Sequence, residues 1–136
     1  MTAQPRANSK SERFRILVVD DHEFVRRGVC ALFSRDPRFD VCGEAVNGQE
    51  AVEQVKLLRP DIVVLDISMP VMNGLEAAQE IRRTAPDTKI VILTMHDSNV
   101  MREQARKAGA DAFAVKSDIA SRLIETVESL LPISTP

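Results

Sequence analysis

Five short apolar runs recur along the chain, each followed by a stretch whose apolar residues return at helical spacing, and few architectures accept that alternation. "RILVVD" (15–20) and "DIVVLD" (61–66) are continuous and β-branched, as strands buried on both faces require. "KIVILT" (89–94) and "AFAVK" (112–116) share that character, while "DVCGEA" (40–45) is weaker and reads as a strand near an edge. Between them, Val25, Val29, Leu32 and Phe33 mark a first helix over 23–35, and Ala51, Val52, Val55 and Leu58 a second, stopped before Pro60. Leu75, Ala78 and Ile81 mark a third, ending around 84–86. The fourth runs from Asn99 to Ala108 with Gly109 as its cap, and the fifth carries Ile119, Leu123, Ile124, Val127 and Leu130 behind a Ser117 cap. The alternation implies an α/β domain with a five-stranded parallel sheet covered on both faces by helices.

Ligands of open parallel sheets bind beyond the carboxyl ends of the strands. Here the first strand ends in Asp20-Asp21, the third in Asp66, the fourth in Thr94 and the fifth in Lys116. Taken singly, Asp20-Asp21 could cap the first helix, Asp66 could form a turn, Thr94 could satisfy a loop and Lys116 could be a solvated end. Taken together, they bring three carboxylates, a hydroxyl and an ammonium to one edge.

Three carboxylates held close raise one another's pKa unless a cation neutralises them. A few oxygen ligands with room for water suit Mg²⁺. Lys116 and Thr94 can meet phosphate oxygens, and phosphoryl transfer needs mainly positioning and charge neutralisation. Asp66, alone at the middle strand, is the candidate nucleophile, since carboxylates form acyl phosphates. Pro70 and Asn73-Gly74 supply the turn beyond it.

"ILVVDDHEFVRRG", "PDIVVLDISMPVMNGLEA", "IVILT" and "AGADAFAVK" carry a family resemblance over about residues 13–131. The chain resembles the receiver domain of bacterial two-component response regulators. The resemblance implies a single doubly wound, flavodoxin-like (βα)5 domain over 14–131, strand order 2-1-3-4-5, between tails at 1–13 and 132–136. It implies that Asp66 accepts a phosphoryl group from a sensor histidine kinase. Asp21, Asp66 and the backbone carbonyl of Ser68 would bind Mg²⁺ directly, and Asp20 through water. Lys116 would contact the phosphoryl oxygens, and Thr94 would close on them after transfer. Phe113 matches the switch aromatic, and the side chains of Ser68 and His96 match positions that modulate hydrolysis. Ser117 stands where many receivers have proline. "VKSD" and "VDDHEFVRRGV" look most like the NarL/LuxR-type subfamily, whose receivers precede a helix-turn-helix output domain. A receiver cut from a longer regulator is preferred over a natural single-domain protein. Arg102, Arg106 and Lys107 on the fourth helix are candidate contacts for a partner or for a phosphorylation-dependent homodimer.

The overall charge of −2 argues against direct DNA binding by the domain. Arg6, Lys10, Arg13 and Arg15 against Glu12 leave residues 1–15 at +3 and the remainder at −5, which reads as a flexible basic tail. No apolar run approaches the ~20 residues that span a bilayer and the N-terminus lacks a secretory pattern, so a cytoplasmic location is expected. Cys30 and Cys42 lack metal-ligand spacing and read as buried, reduced core residues. A competing enzyme class, phosphatases with an aspartyl-phosphate intermediate, wants an acid two residues after the nucleophile, where this chain has Ser68. A degenerate receiver, binding partners without phosphorylation, would not need all five polar side chains.

Overall fold

The computed structural model describes residues 13–132; the expected tails fall almost wholly outside them. The elements run β1 (Phe14–Val19), α1 (Glu23–Ser34), β2 (Phe39–Ala45), α2 (Gly48–Leu58), β3 (Ile62–Asp66), α3 (Gly74–Thr84), β4 (Lys89–Thr94), α4 (Asn99–Lys107), β5 (Ala112–Val115) and α5 (Ile119–Glu128). All strands are parallel, in the order β2-β1-β3-β4-β5, so the expected flavodoxin-like doubly wound topology is what the chain adopts.

Period-two alternation sorts each strand between two cores. Ile16 and Val18 of β1, with Ile62 and Val64 of β3, face α1 and α5 and pack with Val29, Phe33, Leu123 and Val127. Leu17, Val19, Val63 and Leu65 face the other way, onto Ala51, Val55, Ala77, Ala78, Ile81 and Ala105 of α2, α3 and α4. Burial on both faces explains why β3 reads as an unbroken apolar run, with all five residues buried. Each fully buried aliphatic contributes roughly 1.5–3 kcal/mol. The sheet thereby becomes a rigid plate whose carboxyl edge can hold charged groups still.

Local signals set most of the helix ends. Asn47 caps α2 by accepting the Glu50 N–H, and Asn73 and Glu76 close a reciprocal capping box on α3. Gly109, at φ 101°, follows α4 as expected.

Three expectations need correction. Strand β5 stops at Val115, and Lys116–Asp118 form a 3-10 turn, so Ser117 does not cap α5; Asp118 stands there without a side-chain capping bond. Both cysteines are half-buried rather than buried. In β2, Ile16 pairs with Val41 and Leu17 with Gly43, which leaves Cys42 as the extra residue of a bulge.

Among the described residues, no helix is long and apolar enough to cross a membrane.

Candidate functional site

Strand register assembles the site. Val19 lies beside Leu65, Asp66 beside Leu93 and Thr94 beside Val115, so the next residue of each neighbouring strand reaches the same edge. Asp20, Asp66, Thr94 and Lys116 therefore converge although they lie far apart in sequence. Asp20 is fully buried, and Asp66 and Thr94 are 2% and 4% exposed. The ammonium of Lys116 sits 3.0 Å from Asp20 Oδ2 and 3.0 Å from Asp66 Oδ1.

That contact leaves the acids incompletely satisfied. Asp66 Oδ2 is buried with no hydrogen-bond partner, and Asp20 Oδ2 faces Lys116 at ion-pair distance but outside hydrogen-bond geometry. Asp20 Oδ1 accepts the His22 backbone N–H at 2.9 Å, and Arg26 donates to the Asp20 carbonyl at 3.0 Å. Burial pushes the Asp66 carboxyl above its ordinary value; Lys116 pulls it back, and the Asp20 charge adds to the rise. Burial works against the Lys116 charge, but Asp20 and Asp66 outweigh it and hold the ammonium above the usual lysine value.

The loop after β3 is pinned at several points. Ile67 N–H continues the sheet pairing to the Leu93 carbonyl at 3.0 Å, Gly74 N–H returns to the Ile67 carbonyl at 2.9 Å, and Gly48 N–H binds the Met72 carbonyl at 2.9 Å. Between them, Met72 N–H bonds the Pro70 carbonyl at 2.7 Å around Val71, whose φ is 69°. That is a γ-turn of the rare positive-φ kind, here with a β-branched residue at its centre. The loop thus holds Ser68 beside Asp66 while α3 starts directly behind the site.

A cleft of about 540 Å³ opens over this edge, lined by His22, Asp66, Ser68, Thr94, His96 and Lys116 among others. The Thr94 hydroxyl accepts the His96 backbone N–H at 3.4 Å. Asp21 stands at the rim with its side chain 30% exposed. Phe113 lies outside the cleft, half-buried in a groove between α4 and β5. The Arg102 guanidinium covers its ring at 4.8 Å and donates to Asp97 at 2.7 Å. Arg106 pairs with Glu103 on the exposed face of α4.

One site residue was not singled out from the sequence. His22 Nδ1 lies 3.4 Å from Asp20 Oδ1 and 3.3 Å from Asp21 Oδ1. One ligand atom from each of Asp20, Asp21, His22 and Asp66 falls within 4.8 Å of the others. Its position directly after two aspartates at a strand end was the available signal.

An acidic pocket containing a buried oxygen without a donor fits a divalent cation. Residues 16–128 match the family model for the response regulator receiver domain. The chain belongs to that family. It is thus a receiver domain of two-component signalling, a module whose members bind Mg²⁺ at an acidic pocket.

Chemotaxis protein CheY of Thermotoga maritima is 41% identical over 85% of this chain and 96% of its own length. The DNA-binding transcriptional activator DevR/DosR of Mycobacterium tuberculosis is 38% identical over 85% of this chain and 54% of its own. Among solved structures, a LuxR-family response regulator from Aurantimonas sp. SI85-9A1 superposes with a TM-score of 0.83 at 36% identity, covering 87% of this chain and 84% of that one. A chain of the CheX-CheY-BeF3-Mg²⁺ complex from Borrelia burgdorferi also gives 0.83, at 26% identity over 90% and 93% of the two chains. The receiver spans about half of the transcriptional regulators it matches, and 14% of a Photobacterium profundum protein-glutamate methylesterase that is 56% identical over 57 residues.

Proposed function

We propose that Asp66 is the phosphoacceptor of this receiver and that its modification by a sensor histidine kinase switches an output that controls transcription. The observation that carries the reading is Asp66 Oδ2, buried at the carboxyl edge of the sheet with no partner of its own beside the Lys116 ammonium. An Asp66 carboxylate oxygen attacks the phosphorus of a phosphohistidine, the P–N bond breaks, and its electron pair leaves on the imidazole. Bound Mg²⁺ would neutralise charge on the transferring group, held by Asp21, Asp66 and the Ser68 backbone carbonyl, with Asp20 acting through water. Lys116, already within 3.0 Å of Asp66, turns its remaining donors to a phosphoryl oxygen.

The acyl phosphate carries about −1.5 to −2 charges where the carboxylate carried −1, in a pocket shielded by one ammonium. The Thr94 hydroxyl, held only by a long bond from His96 N–H, is free to donate to the phosphoryl oxygen. Phe113 follows the space that Thr94 leaves, which requires Arg102 to release its ring. The α4–β5–α5 surface, with Arg102, Arg106 and Lys107, then engages a partner or a second copy. The exposed side chains of Ser68 and His96 at the cleft set water access to the acyl phosphate. A cytoplasmic location follows from the kinase partnership.

The test is intact-mass measurement after incubation with Mg²⁺ and acetyl phosphate. The wild type gains one phosphoryl group, less without Mg²⁺, and Asp66→Asn gains none. A wild type that stays unmodified, or an Asp66→Asn variant that labels equally, overturns the assignment. Gel filtration with and without the donor tests dimerisation; an unchanged elution volume counts against that output.

A further inference from the structure

The donor set of the acidic pocket includes a nitrogen. We infer that His22 is an inner-sphere ligand available to a divalent ion at this site, so that the pocket also takes borderline transition ions such as Co²⁺ and Zn²⁺. This role for His22 rests on the reading of the acidic pocket as a metal site, and it concerns what this chain adds to that site.

Geometry supports it. In an octahedral site with bonds of about 2.1 Å, neighbouring ligand atoms lie roughly 3 Å apart and opposite ones roughly 4.2 Å apart. His22 Nδ1 is 3.3 Å from Asp21 Oδ1, near the length of an octahedral edge, and 3.4 Å from Asp20 Oδ1. One ligand atom from each of Asp20, Asp21, His22 and Asp66 lies within 4.8 Å of the others, so the imidazole stands at the same pocket as the carboxylates that would hold the ion. The second observation is the orphaned Asp66 Oδ2, on a side chain that is only 3% exposed and faces the pocket. It demands a cation or donor that no protein group provides.

The local backbone fixes the residue that carries the imidazole. His22 is the residue immediately before α1, with φ −90° and ψ 112°, and its own N–H is tied to Asp20 Oδ1. Its side chain is 67% exposed, so turning toward an ion breaks no packing. An oxygen-only pocket favours hard Mg²⁺, whereas one imidazole raises affinity for ions higher in the Irving–Williams order. The pocket therefore couples the phosphoacceptor to the supply of transition ions, which compete with Mg²⁺ for the same carboxylates.

The chain has two histidines, His22 and His96, so any imidazole signal has only two sources. The experiment uses the full, untagged chain loaded with Mn²⁺ for pulsed electron paramagnetic resonance, and Co²⁺ and Mg²⁺ for calorimetric titration. The expected results are nitrogen modulation on bound Mn²⁺ that is lost in His22→Ala and His22→Gln but kept in His96→Ala. In His22→Ala, Co²⁺ affinity falls at least tenfold while Mg²⁺ affinity changes less than twofold. Absent nitrogen modulation, modulation that survives in His22→Ala, or an unchanged Co²⁺ to Mg²⁺ ratio each overturns the inference while leaving the Mg²⁺ site intact. Mg²⁺ binding that is indifferent to Asp66→Asn would instead overturn the acidic-pocket reading on which it rests.

Discussion

Gly74 is where the start of α3 is pressed against the strand end that carries Asp66. A Cβ placed there would meet the Asp66 carbonyl oxygen at an impossible distance, Ile67 Cα at 2.8 Å and the Asp66 carbonyl carbon at 3.0 Å. Ordinary carbon contacts are about 3.5–4.0 Å, so Gly74→Ala must drive α3 and the end of β3 apart by roughly 0.5–1 Å. The obstructing atoms are backbone and cannot rotate away. Overpacking of this kind costs about 1–3 kcal/mol, against at most ~1 kcal/mol gained from helix propensity. With the full gain subtracted, the net loss of up to about 2 kcal/mol corresponds to a melting temperature lower by up to roughly 10 °C in a domain near this size. Because the displaced carbonyl belongs to Asp66 itself, transfer from acetyl phosphate should slow about 10- to 100-fold. Gly28→Ala is the internal control: it lies inside α1, and a Cβ there meets nothing within 4 Å. That variant should gain up to ~1 kcal/mol and phosphorylate normally. Thermal unfolding and intact-mass time courses of both variants decide the matter. A Gly74→Ala protein as stable as Gly28→Ala and labelled at the wild-type rate would refute the close-contact reasoning.

Relief of the γ-turn should be visible in stability: Val71 holds φ 69° with its side chain 81% exposed, so Val71→Gly removes strain of about 1–3 kcal/mol at little packing loss. Denaturant unfolding should show the variant at least as stable as the wild type despite the added chain entropy, and a loss above ~1 kcal/mol would contradict the strain. Burial and the nearby Glu44 push the Cys30 thiol up to about 11. At pH 7.5 its thiolate fraction is then below about 1 in 1,000, against roughly 1 in 10 for an ordinary cysteine, so alkylation by iodoacetamide should be more than ~100-fold slower than for free cysteine. Site-resolved mass spectrometry checks this, and near-free reactivity at Cys30 would sink it. Arg38 hydrogen-bonds Asp36 and pairs with Glu128 at 2.6 Å, joining the start of β2 to the end of α5, and its guanidinium holds the Asp36 carboxyl below the usual carboxylate value. A lowered acid stabilises above its unfolded pKa of about 3.9 and loses that contribution as pH falls through the lowered folded value. The stability gap between wild type and Arg38→Met should therefore be constant near neutrality and shrink below about pH 4; a gap independent of pH would exclude the linkage.

The sheet was legible because its residues are buried on both faces, and a continuous β-branched run bounded by turn residues fits little besides a strand covered on both sides. The polar edge was legible for a related reason: a charge that abruptly ends such a run has no room in the core, and parallel register sends every such charge to one side. What the sequence hid is what depends on pairing between distant segments. The bulge at Cys42 arises only when β2 meets β1 out of step, so a cysteine in an apolar pattern ends up half-buried. Ser117 has the chemistry of a helix cap, yet Lys116 must turn back towards Asp20 and Asp66, and a 3-10 turn intervenes before α5.

The loop after β3 shows the same limit more sharply. Local propensity argues against a valine at positive φ, so the sequence points to a turn at Pro70 and Asn73-Gly74 but not to strain at Val71. That strain is sustained by bonds at both ends of the loop, from Gly48 to Met72 and from Gly74 to Ile67, each anchored in a rigid element. His22 belongs with these cases. Beside two aspartates in sequence it looks like a helix-start residue, and only Asp66, arriving much later in the chain on the neighbouring strand, turns the cluster into a pocket with a buried oxygen to satisfy. The chemistry of the edge can therefore be read strand by strand. Its selectivity belongs to the loops, which bring their side chains in only after the sheet has fixed the distances between them.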